Sequence, residues 1–223
     1  MYCLSIDCSN KSLAICFIDI NYNWKNEILT KLKKNKTNII NNEDILKEIN
    51  KDLDNIINIK ICKVTDLIPT KKVKDTNIIE RTLQLKIHIQ NIKEIINKEA
   101  PNKHINIYIE YQLNANDKSR TIYNQLIYAF SNYKFYNIII VKPTLKNQIY
   151  LSNNLKHNKF IQKYNTLYNA NKNHCKENFL YYIKIFNKQK HISNIKKQNL
   201  DDIADAFLQC IAYNKFYNIY QCQ

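Results

Sequence analysis

The sequence predicts an α/β fold with a five-stranded mixed sheet flanked by helices. Short apolar segments with strand-like alternation recur five times before residue 143. The first three follow one another, whereas the later two alternate with amphipathic helical segments, an order that suits a mixed sheet. No internal repeat and no Pro- or Gly-rich linker divides the 223 residues, so we predict one domain over residues 1–223.

The five predicted strands are residues 2–8, 13–20, 58–64, 105–111 and 137–142. So few residues join the first two that we expect a tight hairpin. Pro143 closes the fifth strand, because proline cannot donate to a strand ladder. Residues 21–57 are polar and rich in Lys and Asn, and we predict an insertion there that contains a helix from Asn42 to about Ile57.

Helical spacing predicts a long amphipathic helix over about 77–98. Asn77 and Glu80 resemble a capping box at its start, and Pro101 lies just past its end. The apolar stripe of this helix is predicted to face the core: Ile79, Leu83, Ile87, Ile92 and Ile96. Further helices are predicted over residues 119–133, 157–169, 175–187 and 200–216.

The chain contains no glycine, which affects the backbone positions that require a positive φ. Asn and Asp are the other residues that best tolerate the left-handed region. We therefore expect asparagines at such positions, and the Asn-rich joints Asn41-Asn42 and Asn153-Asn154 are the candidates.

The seven cysteines indicate a reducing environment, because they are odd in number, scattered and without a CxxC pair. The N-terminus lacks a basic region of the signal-peptide type, and no apolar run reaches the roughly 18 residues that a membrane span needs. We expect a soluble intracellular protein with buried, reduced thiols, no membrane association and no small-molecule cofactor.

The charge is strongly positive, with 34 basic against 19 acidic residues and a formal net charge of +15. Nucleic acid is the first partner that such an excess indicates. Anionic membranes attract the same charge, and an A/T-rich genome would also favour lysine. Basic residues near the acidic strand ends and elsewhere are candidate DNA contacts: Lys11, Lys118, Arg120, Lys142, Lys146, Lys159, Lys196 and Lys197.

Four acidic residues stand out by their positions. Asp7 closes the first predicted strand, Glu110 closes the fourth, and Asp202 and Asp205 lie three apart on one face of the last helix. Carboxylates in apolar surroundings are costly to bury unless they are paired or bind a metal. Hard oxygen ligands suit Mg²⁺ or Mn²⁺, and two such ions can assist phosphodiester hydrolysis.

Each acid taken alone has a simpler interpretation. Asp7 or Glu110 suits a turn at a strand end, and Asp201-Asp202 suits a helix N-terminus, whose dipole favours negative charge. The combination of first strand, fourth strand and last helix on a basic chain favours a metal-dependent nuclease.

Three segments resemble motifs of the RuvC-type Holliday junction resolvases. Residues 4–11 resemble the first-strand motif with its Asp, and residues 109–112 (Ile-Glu-Tyr-Gln) resemble the Glu motif in the form found in poxvirus and fungal mitochondrial members. Residues 200–209 are similar to the C-terminal helix with two Asp three apart. Asp117 to Arg120, and Val141-Lys142-Pro143 with Lys146, also resemble family segments. The resemblance covers about 1–20 and 58–216.

This resemblance implies an RNase H-like fold and a homodimer that nicks four-way DNA junctions symmetrically in recombination and repair. It implies two Mg²⁺ or Mn²⁺ ions held by Asp7, Glu110, Asp202 and Asp205. With the composition, it implies a large DNA virus and its cytoplasmic replication site, or otherwise a nuclear or mitochondrial location. The sequence departs from the family after Asp7, where a glycine turn is replaced by Cys8-Ser9-Asn10.

Two alternatives remain open from the sequence. One is another RNase H-like nuclease, such as a 3′–5′ exonuclease, a transposase-like nuclease or an enzyme that cleaves RNA–DNA hybrids. The other is a non-catalytic protein that binds DNA through the same basic surface.

Overall fold

The computed structural model describes residues 1–9, 11–21, 57–68, 77–112, 117–151, 153–185 and 187–220, with the backbone alone at 118, 153 and 215–220. Its sheet contains β1 (Tyr2–Cys8), β2 (Ser12–Ile20), β3 (Ile57–Asp66), β4 (Ile105–Glu110) and β5 (Tyr136–Val141) in the order β3-β2-β1-β4-β5. The first three strands pair antiparallel, and β4 and β5 run parallel to β1. The predicted five-stranded mixed sheet is confirmed.

The described residues form α1 (Ile78–Glu99), α2 (Asp117–Ser131), α3 (His157–Lys163), α4 (Leu167–Ile185) and α5 (Leu200–Tyr220). Asn77 caps α1, because its side chain accepts a hydrogen bond from the Glu80 amide at 2.8 Å. The predicted break between the two helices after β5 was misplaced. It lies at 164–166, because Thr166 accepts from the Asn169 amide at 3.2 Å and begins α4 there.

Helices cover both faces of the sheet. Apolar side chains of α1 and α2 pack with one set of alternating strand residues, and those of α4 and α5 pack with the other set. In β1, Leu4 and Ile6 face α1 and α2, whereas Cys3 faces α5. The period of two in the sequence therefore assigns each strand residue to one face.

The predicted apolar stripe of α1 is wrong in three of its five residues. Ile92 and Ile96 are buried, but Ile79, Leu83 and Ile87 are 67%, 59% and 53% exposed. The buried side of the helix instead contains Arg81, Leu85, Ile89, Ile92 and Ile96. The helix has apolar residues on two sides, and periodicity alone cannot decide which side packs against the sheet.

Asparagine takes the positive-φ positions of the described residues, as expected, although at other sites. These positions are Asn102 (56°) and Asn187 (53°) rather than Asn153-Asn154, and Asn41-Asn42 lies outside the described residues. Asn187 follows α4 in a Schellman motif, in which the Lys188 amide donates to the Ile183 carbonyl at 2.9 Å. An asparagine thus replaces the usual glycine.

The predicted insertion at 21–57 lies almost entirely outside the described residues. Ile57, predicted as the end of its helix, is instead the first residue of β3. Of the seven cysteines, Cys222 lies outside the described residues and the other six are free thiols, with Cys62 half-buried and the rest buried. In the part of the chain that the structure describes, no helix has the length and apolarity to cross a bilayer.

Candidate active site

The register of the sheet brings Asp7 and Glu110 to the same end and the same face. Ile6 of β1 is paired with Ile109 of the parallel strand β4, so the next residues of the two strands, Asp7 and Glu110, are neighbours. Ile6 and Ile109 pack under α1 and α2. Because side chains alternate along a strand, Asp7 and Glu110 face α5 instead.

Helix α5 brings two further carboxylates to this point. Asp202 and Asp205 are three residues apart, so they lie on one side of the helix. Asp205 is 4% exposed, whereas Asp202 is half-buried. The Ser12 hydroxyl, at the start of β2, donates to Asp202 Oδ2 at 3.0 Å and ties the helix to the sheet.

Two lysine ammonium groups bridge these carboxylates. Lys146, from the short 3-10 helix after β5, donates to Glu110 Oε2 and to Asp205 Oδ2, both at 2.8 Å. Lys172, from α4, donates to Asp205 Oδ2 at 3.0 Å and lies 3.6 Å from Asp202 Oδ1. We call Asp7, Glu110, Lys146, Lys172, Asp202 and Asp205 the carboxylate–lysine cluster.

The pKa of Asp7 and that of Asp205 are shifted in opposite directions. Burial, followed by the negative charge of Glu110, raises the pKa of Asp7 to about 8 in spite of Lys146. Burial acts in the same direction on Asp205, but Lys146 and Lys172 outweigh it and hold the pKa of Asp205 below its ordinary value. Burial would lower the pKa of both lysines, yet the neighbouring carboxylates raise it, so both ammonium groups stay charged.

The cluster has donors suited to a hard divalent cation. Asp205 Oδ1 is buried and has no hydrogen-bond partner among the described residues, which is unusual for a carboxylate oxygen. Two ammonium groups face four carboxylates, so negative charge remains when all are ionised. Within the described residues, no three carboxylates surround a common ion position. Asp7, Glu110, Asp202 and Asp205 would supply the ligands, with the lysines occupying part of the space between them.

The turn after Asp7 closes without glycine. The Ser9 hydroxyl accepts from the Ser12 amide at 2.9 Å and from the Lys11 amide at 3.2 Å. The Ser9 amide also donates to the Ser12 carbonyl at 2.9 Å. A serine side chain thus holds the turn that positions Ser12 under Asp202, while Asn10 lies outside the described residues.

The other predicted basic residues lie apart from the cluster. Most are exposed to solvent: Lys11, Arg120, Lys142, Lys159, Lys196 and Lys197. Arg120 forms an ion pair with Asp117. The side chain of Lys118 lies outside the described residues, and Lys146 alone of the set joins the carboxylates. Their contact with DNA stays a prediction.

Sequence reasoning missed Lys172. The predicted helices 157–169 and 175–187 left Lys172 in the break between them, where a lysine in a chain with 34 basic residues looks like a surface residue. The helix pattern does carry a weak signal, because Cys175, Phe179 and Tyr182 form the buried side of α4 and Lys172 precedes them by one turn. Asp201, by contrast, pairs with Lys176 at 3.2 Å and does not enter the cluster.

Solved structures with a similar fold come from a bacterium and a poxvirus. Thermus thermophilus RuvC has a TM-score of 0.51 at 11% identity, with 97% of each chain covered. T. thermophilus RuvC in complex with a Holliday junction substrate gives 0.49 at 8% identity, covering 98% of this chain and 96% of that one. Fowlpox virus resolvase with its substrate Holliday junction DNA gives 0.47 at 16%, covering 96% and 97%.

No protein-family model matches the sequence, and no curated protein is significantly similar to it. The likeness to RuvC therefore concerns the fold. The chain has the α/β architecture of the RNase H-like proteins, with a mixed five-stranded sheet flanked by helices.

Proposed function

We propose that this protein is a metal-dependent endonuclease that resolves four-way DNA junctions. The observation that carries the proposal is the carboxylate–lysine cluster, in which acids from β1, β4 and α5 meet at one end of an RNase H-like sheet. The resemblance of the three acid-bearing segments to the resolvase motifs supports the same proposal, because the acids of these segments lie close together in the fold.

The ligands of the metal would be Asp7, Glu110, Asp202 and Asp205. A bound Mg²⁺ or Mn²⁺ would supply an activated water and neutralise charge on the leaving oxygen, and two ions are proposed. Lys146 remains protonated in the cluster and can hold a non-bridging oxygen of the scissile phosphate. Lys172 can do the same from the side of Asp202.

The same proposal includes a homodimer. Two symmetric nicks on a four-way junction require two active sites related by a two-fold axis, which a second copy supplies. The outer side of α1 suits this contact, because Ile79, Leu83 and Ile87 form an exposed apolar stripe at spacing four. We call these three residues the α1 stripe.

The basic surface would bind the DNA arms. The exposed lysines on it are point charges that neutralise phosphates without reading sequence. Junction structure, rather than base sequence, is therefore the feature that we expect the protein to recognise.

The test is cleavage of a labelled, immobile four-way junction in Mg²⁺ or Mn²⁺, beside a matched linear duplex and an RNA–DNA hybrid. We expect paired symmetric nicks on the junction, which Asp7→Asn abolishes. Equal cutting of every substrate would leave a less selective nuclease. Tight junction binding without cleavage in either metal would leave a DNA-binding protein and refute the enzyme.

A further inference from the structure

A polar cleft of about 460 Å³ opens between the edge strand β3 and the segment 190–199. Cys62, Val64 and Asp66 of β3 face α4 and α5, so the cleft lies mainly on the face of the sheet that carries the cluster. The segment contributes Lys190 and Lys196, and Asp66 is the one acid among the described lining residues. We call this cleft the β3 cleft.

The β3 cleft adjoins the carboxylate–lysine cluster through two connections. Asp66 is the strand partner of Ser12, whose hydroxyl binds Asp202. Asn199, which lines the cleft, immediately precedes α5 and so lies three residues before Asp202. Neighbouring strands of a sheet are about 4.8 Å apart. A DNA strand that is bound beside Asp202 and extends past Ser12 would therefore reach the cleft within one strand spacing.

The lining of the β3 cleft suits an amphipathic anion. Val64 and Ile195 provide apolar surface beside the lysines. Burial and the nearby lysines lower the pKa of His191, so its ring is neutral at pH 7 and can contribute a hydrogen bond. A nucleotide has this combination of properties, with an anionic phosphate and a flat base of low polarity on its faces.

We propose that the β3 cleft binds a nucleotide next to the phosphodiester held by the carboxylate–lysine cluster. This rests on the proposed function, and it adds a determinant of substrate structure. A base must leave the duplex stack to enter a cleft, and this costs least where the strand is already unpaired. At a branch point the stack is interrupted between arms, so a nucleotide there leaves the stack at a lower cost than one within a linear duplex.

The experiment compares two double variants of the full-length protein that carry the same charge change. The cleft variant is Lys190→Ala and Lys196→Ala. The control is Lys103→Ala and Lys134→Ala, two exposed residues near the N-terminal ends of β4 and β5, at the opposite end of the sheet. Thermal unfolding first establishes that both variants are folded.

Binding of a labelled four-way junction is then measured without divalent cations, over a range of salt. We expect the cleft variant to bind about tenfold or more weakly than the control, with a shallower salt dependence, and a smaller difference on linear duplex. Methylphosphonates placed one at a time around the branch point locate the contact. One neutral position should weaken the wild type and the control but not the cleft variant.

Equal losses of junction affinity in the two variants, or a methylphosphonate effect that persists in the cleft variant, would overturn the proposal that the β3 cleft binds a nucleotide. Cleavage in Mg²⁺ separates this from the proposed function. A wild type that nicks junctions, with a cleft variant that binds like the control, rejects the cleft alone. A wild type that never nicks, with a selective binding loss in the cleft variant, rejects the nuclease and keeps the cleft. A wild type without DNA affinity rejects both.

Discussion

The two faces of the sheet differ in what they bury. Under α1 and α2 the core consists of apolar side chains such as Leu85 and Phe130, and Arg81 is the buried charged residue of the described part of α1. Under α4 and α5 the described core also includes buried polar side chains: Lys146, His174, Asn178, Asp205, Gln209 and Asn214. The free-energy cost of burial is therefore higher on the α4/α5 face than on the α1/α2 face.

Burial of polar groups is unfavourable unless each has a partner. On the α4/α5 face many do, since Asn178 accepts from the Leu151 amide at 2.7 Å and Asn214 accepts from the Tyr108 hydroxyl at 3.1 Å. The α4/α5 face thus buries polar groups in addition to the carboxylate–lysine cluster, whereas the other face is built mainly by apolar packing. Under the proposed function, catalysis would use the α4/α5 face, and the proposed dimer would use the exposed side of α1.

The largest expected effect tests whether the position of a carboxylate in the carboxylate–lysine cluster matters more than its charge. Asp7→Asn should reduce the rate of junction cleavage on the order of 10³-fold, a size usual for loss of one electrostatic group in an active site. The matched control is Asp201→Asn on α5, which removes the same charge from a residue paired with Lys176. We expect the control to remain within about twofold of wild type. Equal losses would refute the special role of the cluster.

Lys146→Met should lower the stability of the metal-free protein by about 3–5 kcal/mol, because it leaves Glu110 and Asp205 buried without their shared cation. Urea unfolding at pH 7 in a chelator measures it. Lys142→Met, four residues earlier and exposed, should change stability by less than about 0.5 kcal/mol. If Lys146→Met changes stability as little as the control does, Glu110 and Asp205 are solvated without Lys146. The α4/α5 face would then not differ from the other face in the cost of burying charge.

Much of the fold followed from the sequence, because alternation and proline positions are local signals. All five strands were predicted, and the N-cap of α1 at Asn77 is confirmed. The α1 stripe was assigned to the core wrongly, since two apolar sides on one helix can be told apart only by the sheet that it meets. The α3–α4 break was misplaced, because Thr166 is one of many polar residues in that region that could cap a helix.

The sequence singled out the four acids of the candidate site and named Lys146 among the basic candidates, but it did not indicate Lys172. Asp7 and Glu110 end apolar strands, and Asp202 and Asp205 share one side of the last helix, so their positions are conspicuous, and the fold brings all four together. Lys172 has no such mark, because its partner Asp205 is 33 residues away and joins it only through the packing of α4 on α5. Ser12 likewise contacts Asp202 across 190 residues. Contacts of this range depend on tertiary structure.

The raised pKa of Asp7 predicts a pH dependence of intermediate size. In the folded protein the pKa is about 8 against an ordinary 3.8, so the folded state binds a proton more tightly than the unfolded state. Stability of the metal-free protein should therefore fall as pH rises from about 4 to 8. Relative to Asp7→Asn, we expect a loss on the order of 2 kcal/mol, or roughly 5 °C in Tm.

Thermal unfolding of both proteins in a chelator, from pH 5 to pH 8, provides the measurement. The variant removes the titrating carboxyl and keeps its shape, so the difference between the two curves isolates Asp7 from other groups. A difference that does not change with pH would contradict the pKa, and it would mean that Lys146 and Lys172 already compensate the charge of Asp7.

The smallest effect on the protomer should come from the α1 stripe, and it tests what the apolar face contributes. Ile79→Ser, Leu83→Ser and Ile87→Ser change exposed side chains, so each should alter protomer stability by less than about 0.5 kcal/mol. The variant that carries all three changes should nevertheless sediment as a monomer, and it should introduce unpaired single nicks into junctions. Ile89→Ser, on the buried side of the same helix, should instead cost at least about 2 kcal/mol. If the variant that carries all three changes still dimerises, the α1 stripe is not the dimer contact, and α1 only covers the sheet.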